Sequence, residues 1–127
     1  MRIHKLILGW KIVHANSTTA IFHPDTEWRE ANAYTKIRVT QDNRGLIGAM
    51  EIGAAYQTAN VENSPDTAVL IDSTAAADGV VYPTDWNDLN TAVKGKQLIR
   101  FGRLAKLTSG STLALGGSWI LIESAEE

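Results

Sequence analysis

The 127 residues predict one all-β domain spanning 1–127, a two-sheet antiparallel sandwich of jelly-roll type with at most one short helix. Three observations carry this. Apolar residues recur with a period of two rather than 3.6, turn-forming residues fall between the alternating runs at regular spacing, and no segment of ordinary helix length shows an apolar helical stripe. Seven or eight strands so spaced are the pattern of a sandwich or barrel. A chain of this length buries roughly two-thirds of the surface it exposes when unfolded, so it holds a core without staples.

Taken in order, Ile3 to Val13 reads as a strand with a possible kink at Gly9. In residues 34–41, Ile37 and Val39 share one face while Lys36 and Arg38 take the other, which is a half-buried strand with a basic outer side. Gln41-Asp42-Asn43-Arg44-Gly45 follows as a turn, and 46–58 resumes as a strand, so 34–58 is expected to be a hairpin. Thr67 to Asp72 is a short apolar run suited to a buried strand, and Val80-Val81-Tyr82 is another. Thr74 to Ala77 is expected to be loop. Asp85 to Val93 is the one helical candidate, with Thr84 or Asp85 as N-cap. Strands over 96–108 and 112–123, joined at Ser109-Gly110-Ser111, form an expected second hairpin, with a bulge or bend at Gly116-Gly117.

In the first of the two closing strands, Gln97, Ile99, Phe101, Arg103, Ala105 and Leu107 fall on one face, and Leu98, Arg100, Gly102, Leu104 and Lys106 on the other.

Composition removes whole classes of function. There is no cysteine, hence no disulfide and no thiolate metal site. The apolar runs are a handful of residues, against the ~20 needed to span a bilayer. The first ten residues are too short in apolar length for a signal sequence, and Lys11 interrupts them. A cytoplasmic chain, or a virion protein assembled in a host cytoplasm, is therefore expected, and the sequon Asn16-Ser17-Thr18 reads as chance. The net charge of −2 argues against a general nucleic-acid binder.

Charge is written in blocks. Residues 1–44 carry bases at 2, 5, 11, 29, 36, 38 and 44. From Gly45 to Val93 there is no Lys or Arg, against Glu51, Glu62, Asp66, Asp72, Asp78, Asp85 and Asp88. Lys94, Lys96, Arg100, Arg103 and Lys106 then follow without an acid. Either folding interleaves the blocks within one chain, or the acidic block of one copy meets the basic block of the next.

Catalytic constellations do not emerge. His14, His23, Asp25 and Glu27 are the one concentration of ligand-type residues, but their spacing fits no metal pattern, and surface or capping roles are expected for them. His23-Pro24-Asp25 also spells the tripeptide of J-domain cochaperones, which lies between helices and does not fit these flanks. The carboxylate pairs Glu27/Glu30 and Asp85/Asp88 lie at expected loops or caps. No Gly-x-Ser-x-Gly elbow, P-loop or Gly-x-Gly-x-x-Gly occurs. No cofactor and no metal are expected.

Among four tryptophans, Trp10 and Trp119 fall inside strands and read as core. Trp28 and Trp86 stand in polar settings, where packing under a loop competes with a sugar-stacking face or an interface anchor.

Residues Arg100 to Gly110, running into a last strand that ends Trp119-Ile120-Leu121-Ile122-Glu123, resemble the closing hairpin of small all-β virion proteins of tailed phages, head-decoration subunits among them. The likeness lies in strand alternation, Ser/Thr/Gly/Ala richness and the missing cysteine, and it carries over no functional residue. It implies a capsid-associated structural subunit.

The sequence reading is therefore a non-enzymatic assembly subunit whose partner is a second copy or a larger scaffold such as a capsid. Its contact candidates are Val80, Tyr82, Trp86, Arg100, Arg103 and Lys106, with 59–93 as an extended contact loop. A carbohydrate-binding module using Trp28 or Trp86 is the alternative, and a cupin-like metal enzyme using His14 and His23 the third.

Overall fold

The computed structural model describes residues 2–15, 17–44, 50–71, 74–76, 79–82, 85–107 and 113–126. Eleven strands run through them: β1 Arg2–Ala15, β2 Ile21–Pro24, β3 Arg29–Glu30, β4 Lys36–Asp42, β5 Met50–Ala59, β6 Val69–Leu70, β7 Ala75–Ala76, β8 Val80–Val81, β9 Asn87–Asp88, β10 Leu98–Leu107 and β11 Leu113–Glu126. Helix among these residues is one four-residue turn, α1 Asn90–Val93, and a 3-10 turn at Ala31–Ala33.

The strands make two antiparallel sheets. The first runs β1-β11-β4-β8, with β9 also on β4; the second runs β2-β10-β5-β6, with β3 on β10 and β7 on β5. The pairs β2/β3, β6/β7 and β8/β9 each lie end to end along one neighbour and act as single interrupted strands. Counting each pair once leaves eight strand positions, ordered 1-8-3-6 and 2-7-4-5. First pairs with last, second with seventh, third with sixth and fourth with fifth. That is the order left by rolling up one long antiparallel ribbon, a jelly roll.

Alternation decides what each sheet turns inward. Ile37 and Val39 of β4, Ala54 and Tyr56 of β5, Ile99 and Phe101 of β10, and Ile120 and Ile122 of β11 meet in the core. Leu89, just before α1, and Val93 within it add to the core. Tyr34 closes one end, its ring edge-on to Phe101 at 4.9 Å between centroids. Burial pushes the Tyr56 hydroxyl above its ordinary pKa.

Neither expected hairpin exists. β4 and β5 lie in different sheets, as do β10 and β11, so neither pair is hydrogen-bonded side by side as a hairpin. Period-two patterning identifies a strand and its inner face but not its partner. The closing hairpin on which the tailed-phage resemblance rests is therefore two strands of opposite sheets. Residues 45–49, which start the strand expected over 46–58, lie outside the described residues, as does the turn at 109–111.

Other boundaries also move. The helix begins at Asn90, not near Asp85, because Asn87–Asp88 pair with Lys36 and Ile37 of β4 and the Asp88 carboxylate accepts from the Asn90 N–H at 2.9 Å. Thr84, one proposed cap, is outside the described residues. Thr67–Asp72 gives only the two-residue β6, whose Val69 is exposed, while Ala75–Ala76 forms a strand where loop was expected. The 59–93 stretch thus closes the flanks of both sheets. Gly9 does mark an irregularity: the β1–β11 register shifts between Leu8 and Lys11, and again near Gly116.

Candidate functional site

Two buried polar side chains tie the sandwich together. Arg103 projects inward from β10 with none of its side chain exposed. Its Nε donates to the Ser118 hydroxyl at 2.6 Å, and one terminal nitrogen donates to the carbonyls of Gly9 at 2.9 Å and Ser118 at 2.8 Å. The other terminal nitrogen pairs with the Asp25 carboxylate. Burial pushes the guanidinium below its ordinary pKa, and the Asp25 charge opposes that shift. With each of its three nitrogens engaged, the charge is tolerated.

Asp25 reaches this place through a bulge. The five steps from Pro24 to Arg29 span only three on β10, from Gly102 to Ile99. The N–H groups of Asp25 and Thr26 both donate to the Phe101 carbonyl, and the Phe101 N–H donates to the Thr26 hydroxyl at 3.0 Å. The bulge presses on Gly102, where a Cβ would lie 2.1 Å from the His23 carbonyl oxygen. The His23-Asp25-Glu27 concentration is therefore a strand interruption that delivers one carboxylate to a buried arginine. His14 belongs to β1, its side chain outside the described atoms. Among the described residues, no three His, Asp or Glu side chains gather as metal ligands.

Gln41 is the second tie. Its amide nitrogen donates to the Ile52 carbonyl and the Asn43 side-chain oxygen, both at 2.9 Å, and its oxygen accepts from the Ala54 N–H at 3.0 Å. It thereby occupies the stretch of β5 between the positions paired by β6 and β7.

The outer faces carry the charge blocks, and there the blocks meet within one chain. Lys96 pairs with Asp66 at 2.8 Å and Lys106 with Glu51 at 3.2 Å. Across the first sheet, Arg38 forms a two-point pair with Glu123 at 3.0 and 3.3 Å. These contacts answer the charge-segregation question in favour of interleaving. Both tryptophans of polar setting are also occupied from within. The Arg100 guanidinium lies 4.4 Å over Trp28, and that of Arg38 lies 4.5 Å over Trp86.

The six contact candidates do not form one patch. Val80, Tyr82 and Trp86 lie along the β8–β9 flank of the first sheet, where Tyr82 is 71% exposed. Arg100 and Lys106 stand on the outer face of the second sheet, half-buried against Gln57 and Glu51. Arg103 is corrected outright: it belongs to the core, and the alternation that places it beside Phe101 and Ala105 is the signal that it faces inward. Sequence reasoning missed Ile3 and Ile7, exposed on the outer face of the edge strand β1. The alternation of Ile3, Lys5 and Ile7 against Leu6 and Leu8 was the available signal.

Among the described residues, no helix is long and apolar enough to cross a membrane. No protein-family model and no curated protein sequence matches the chain. Solved structures show similarity of differing degree. A chain from the infectious bursal disease virus Gx strain superposes with a TM-score of 0.53 at 6% identity, over 97% of this chain and 32% of that one. The VP2 subviral particle of the same virus gives 0.49 at 6% identity with the same coverage. The decameric BFDV capsid protein gives 0.27 at 12% identity over 98% of this chain and all of the other. The chain thus spans about a third of the length of the bursal disease virus chains. Its fold is an all-β jelly roll of the kind seen in that virus.

Proposed function

We propose that the chain is a non-enzymatic structural subunit of a virion, one β-sandwich domain over residues 1–127 that acts through protein contacts with further copies or with a capsid scaffold. Jelly rolls serve as capsid, lectin and cupin domains, so the fold by itself leaves those three roles level. The observation that separates them is how the side chains are spent. The two tryptophans a sugar would stack on are already covered by Arg100 and Arg38. Asp25, the acid beside the histidine that a metal site would use, is committed to Arg103. Exposed apolar side chains remain at Ile3, Ile7, Ile21, Val61, Val69 and Tyr82. Strand edges and faces of this kind are what assembly uses.

The contact surface under this reading comprises the Val80-Tyr82-Trp86 flank and, separately, the Arg100-Lys106 face. A capsid-associated role, head decoration included, belongs to the same reading. Localisation would be the virion.

Light scattering on the purified chain over a range of concentrations tests this. The expected result is association into a defined oligomer, weakened by Tyr82→Ala and slowed by the double reversal Arg100→Glu with Lys106→Glu. A chain that stays monomeric at high concentration, binds no scaffold and retains a sugar on a glycan array would overturn it.

A further inference from the structure

A cavity of about 300 Å³ opens between the two sheets at the end where the chain starts β1 and finishes β11. His4, Lys5, Leu6, Arg29, Ala33, Tyr34, Ile122 and Ser124 line it. Its floor comes from the first sheet, where His4 pairs with Ser124 and Leu6 with Ile122. Its cover comes from β3 and the 3-10 turn that follows.

Register explains the sign of its charge. Arg29 pairs with Ile99, a core residue, so it takes the inner side and reaches the cavity. Glu30 pairs with Leu98, on the opposite face, so the acid next in sequence is turned away. Among the described side chains, no carboxylate lines the cavity. Glu123, opposite Lys5 in register, is held by Arg38.

Among the described side chains, the other arginines make the contrast. Arg38, Arg44 and Arg103 each pair with a carboxylate, and Arg100 is held by Gln57 and Trp28. Arg29 has instead a long contact to the Tyr34 hydroxyl at 3.4 Å, and Tyr34 is itself fixed against Phe101. The guanidinium and the phenol thus stand side by side on the cavity wall.

We propose that this cavity binds a small anionic ligand, a monosaccharide-sized molecule carrying one phosphate or carboxylate group. The Arg29 fork and the Tyr34 hydroxyl would hold the oxyanion, and Leu6, Ala33 and Ile122 would take its uncharged body. The volume lies at the small end of ligand pockets. The proposal does not depend on the virion reading.

Isothermal titration of the full chain with glucose 6-phosphate, glucuronate and glucose tests it. At least one charged sugar is expected to bind and glucose is not; which of the two binds fixes the oxyanion. Arg29→Gln should weaken binding about tenfold and Tyr34→Phe less. Arg29 is exposed, so the variant's melting temperature should match the parent's. If that variant unfolds, Arg29→Lys, which keeps the charge but loses the fork, is expected to weaken binding a few-fold. No binding of either charged sugar, equal binding of glucose, or affinity indifferent to the substitutions would overturn the proposal.

Discussion

Arg100 and Arg103 lie three residues apart on one strand, and their surroundings differ in every respect. Arg103 faces the core, where water is gone and its charge is met by a carboxylate, a hydroxyl and two carbonyls drawn from β11, β1 and the bulge after β2. Arg100 faces outward, shares one hydrogen bond with Gln57 and spreads over the Trp28 ring. Odd spacing puts them on opposite faces, and the face sets how much each interaction is worth. A buried ion pair need not exceed an apolar replacement in stability, but breaking one side of it is costly. An exposed pair is worth little.

The sharpest way to break this comparison is to remove one partner. Arg103→Met, which leaves Asp25 without its cation, should destabilise the fold by about 3–5 kcal/mol in urea unfolding. Adding Asp25→Leu should recover part of that loss. Equal stability of single variant and parent would mean that the interior charge carries no weight. Gly102→Ala comes next, at about 3 kcal/mol, because the new Cβ meets backbone rather than a movable side chain. Gln41→Ala follows at about 2 kcal/mol, read as a lower urea midpoint and faster exchange of the Ala54 amide, which loses its acceptor. On the outer side, Arg100→Ala should cost under about 1 kcal/mol in the same urea unfolding, since its contacts are one partly exposed hydrogen bond and an aromatic ring.

Acid titration gives the smallest effect. Hydrogen bonds from Lys96 and Thr58 hold the Asp66 carboxyl below its ordinary pKa, and those from Arg44 do so for Asp42. A depressed folded value stabilises the native state above the unfolded pKa, near 4, and that contribution is lost as pH falls through the folded value. The stability difference between the parent and Asp66→Asn should therefore be present at neutral pH and fade below about pH 4. A difference that instead grew with acid would reverse the assignment.

What the residues alone determined is local. Alternation located the four long strands β4, β5, β10 and β11 and their inner faces, since side chains on a strand must point to opposite sides and only one side is dry. The same alternation aligned Arg103 with Phe101 and Ala105, yet Arg103 was expected at a contact surface, and only the folded structure shows it buried. Glycines marked both irregularities between β1 and β11. What the tertiary structure alone decided is who pairs with whom. β1 runs against β11 across nearly the whole chain, and neighbours in sequence part into different sheets. That choice depends on how all eight strand positions bury their inner faces together, which no window of sequence contains. The same holds for the charges: Lys96 finds Asp66, Lys106 finds Glu51 and Asp25 finds Arg103 only after the ribbon has rolled up. Arg29 is left facing a cavity because register, not composition, turns Glu30 away from it.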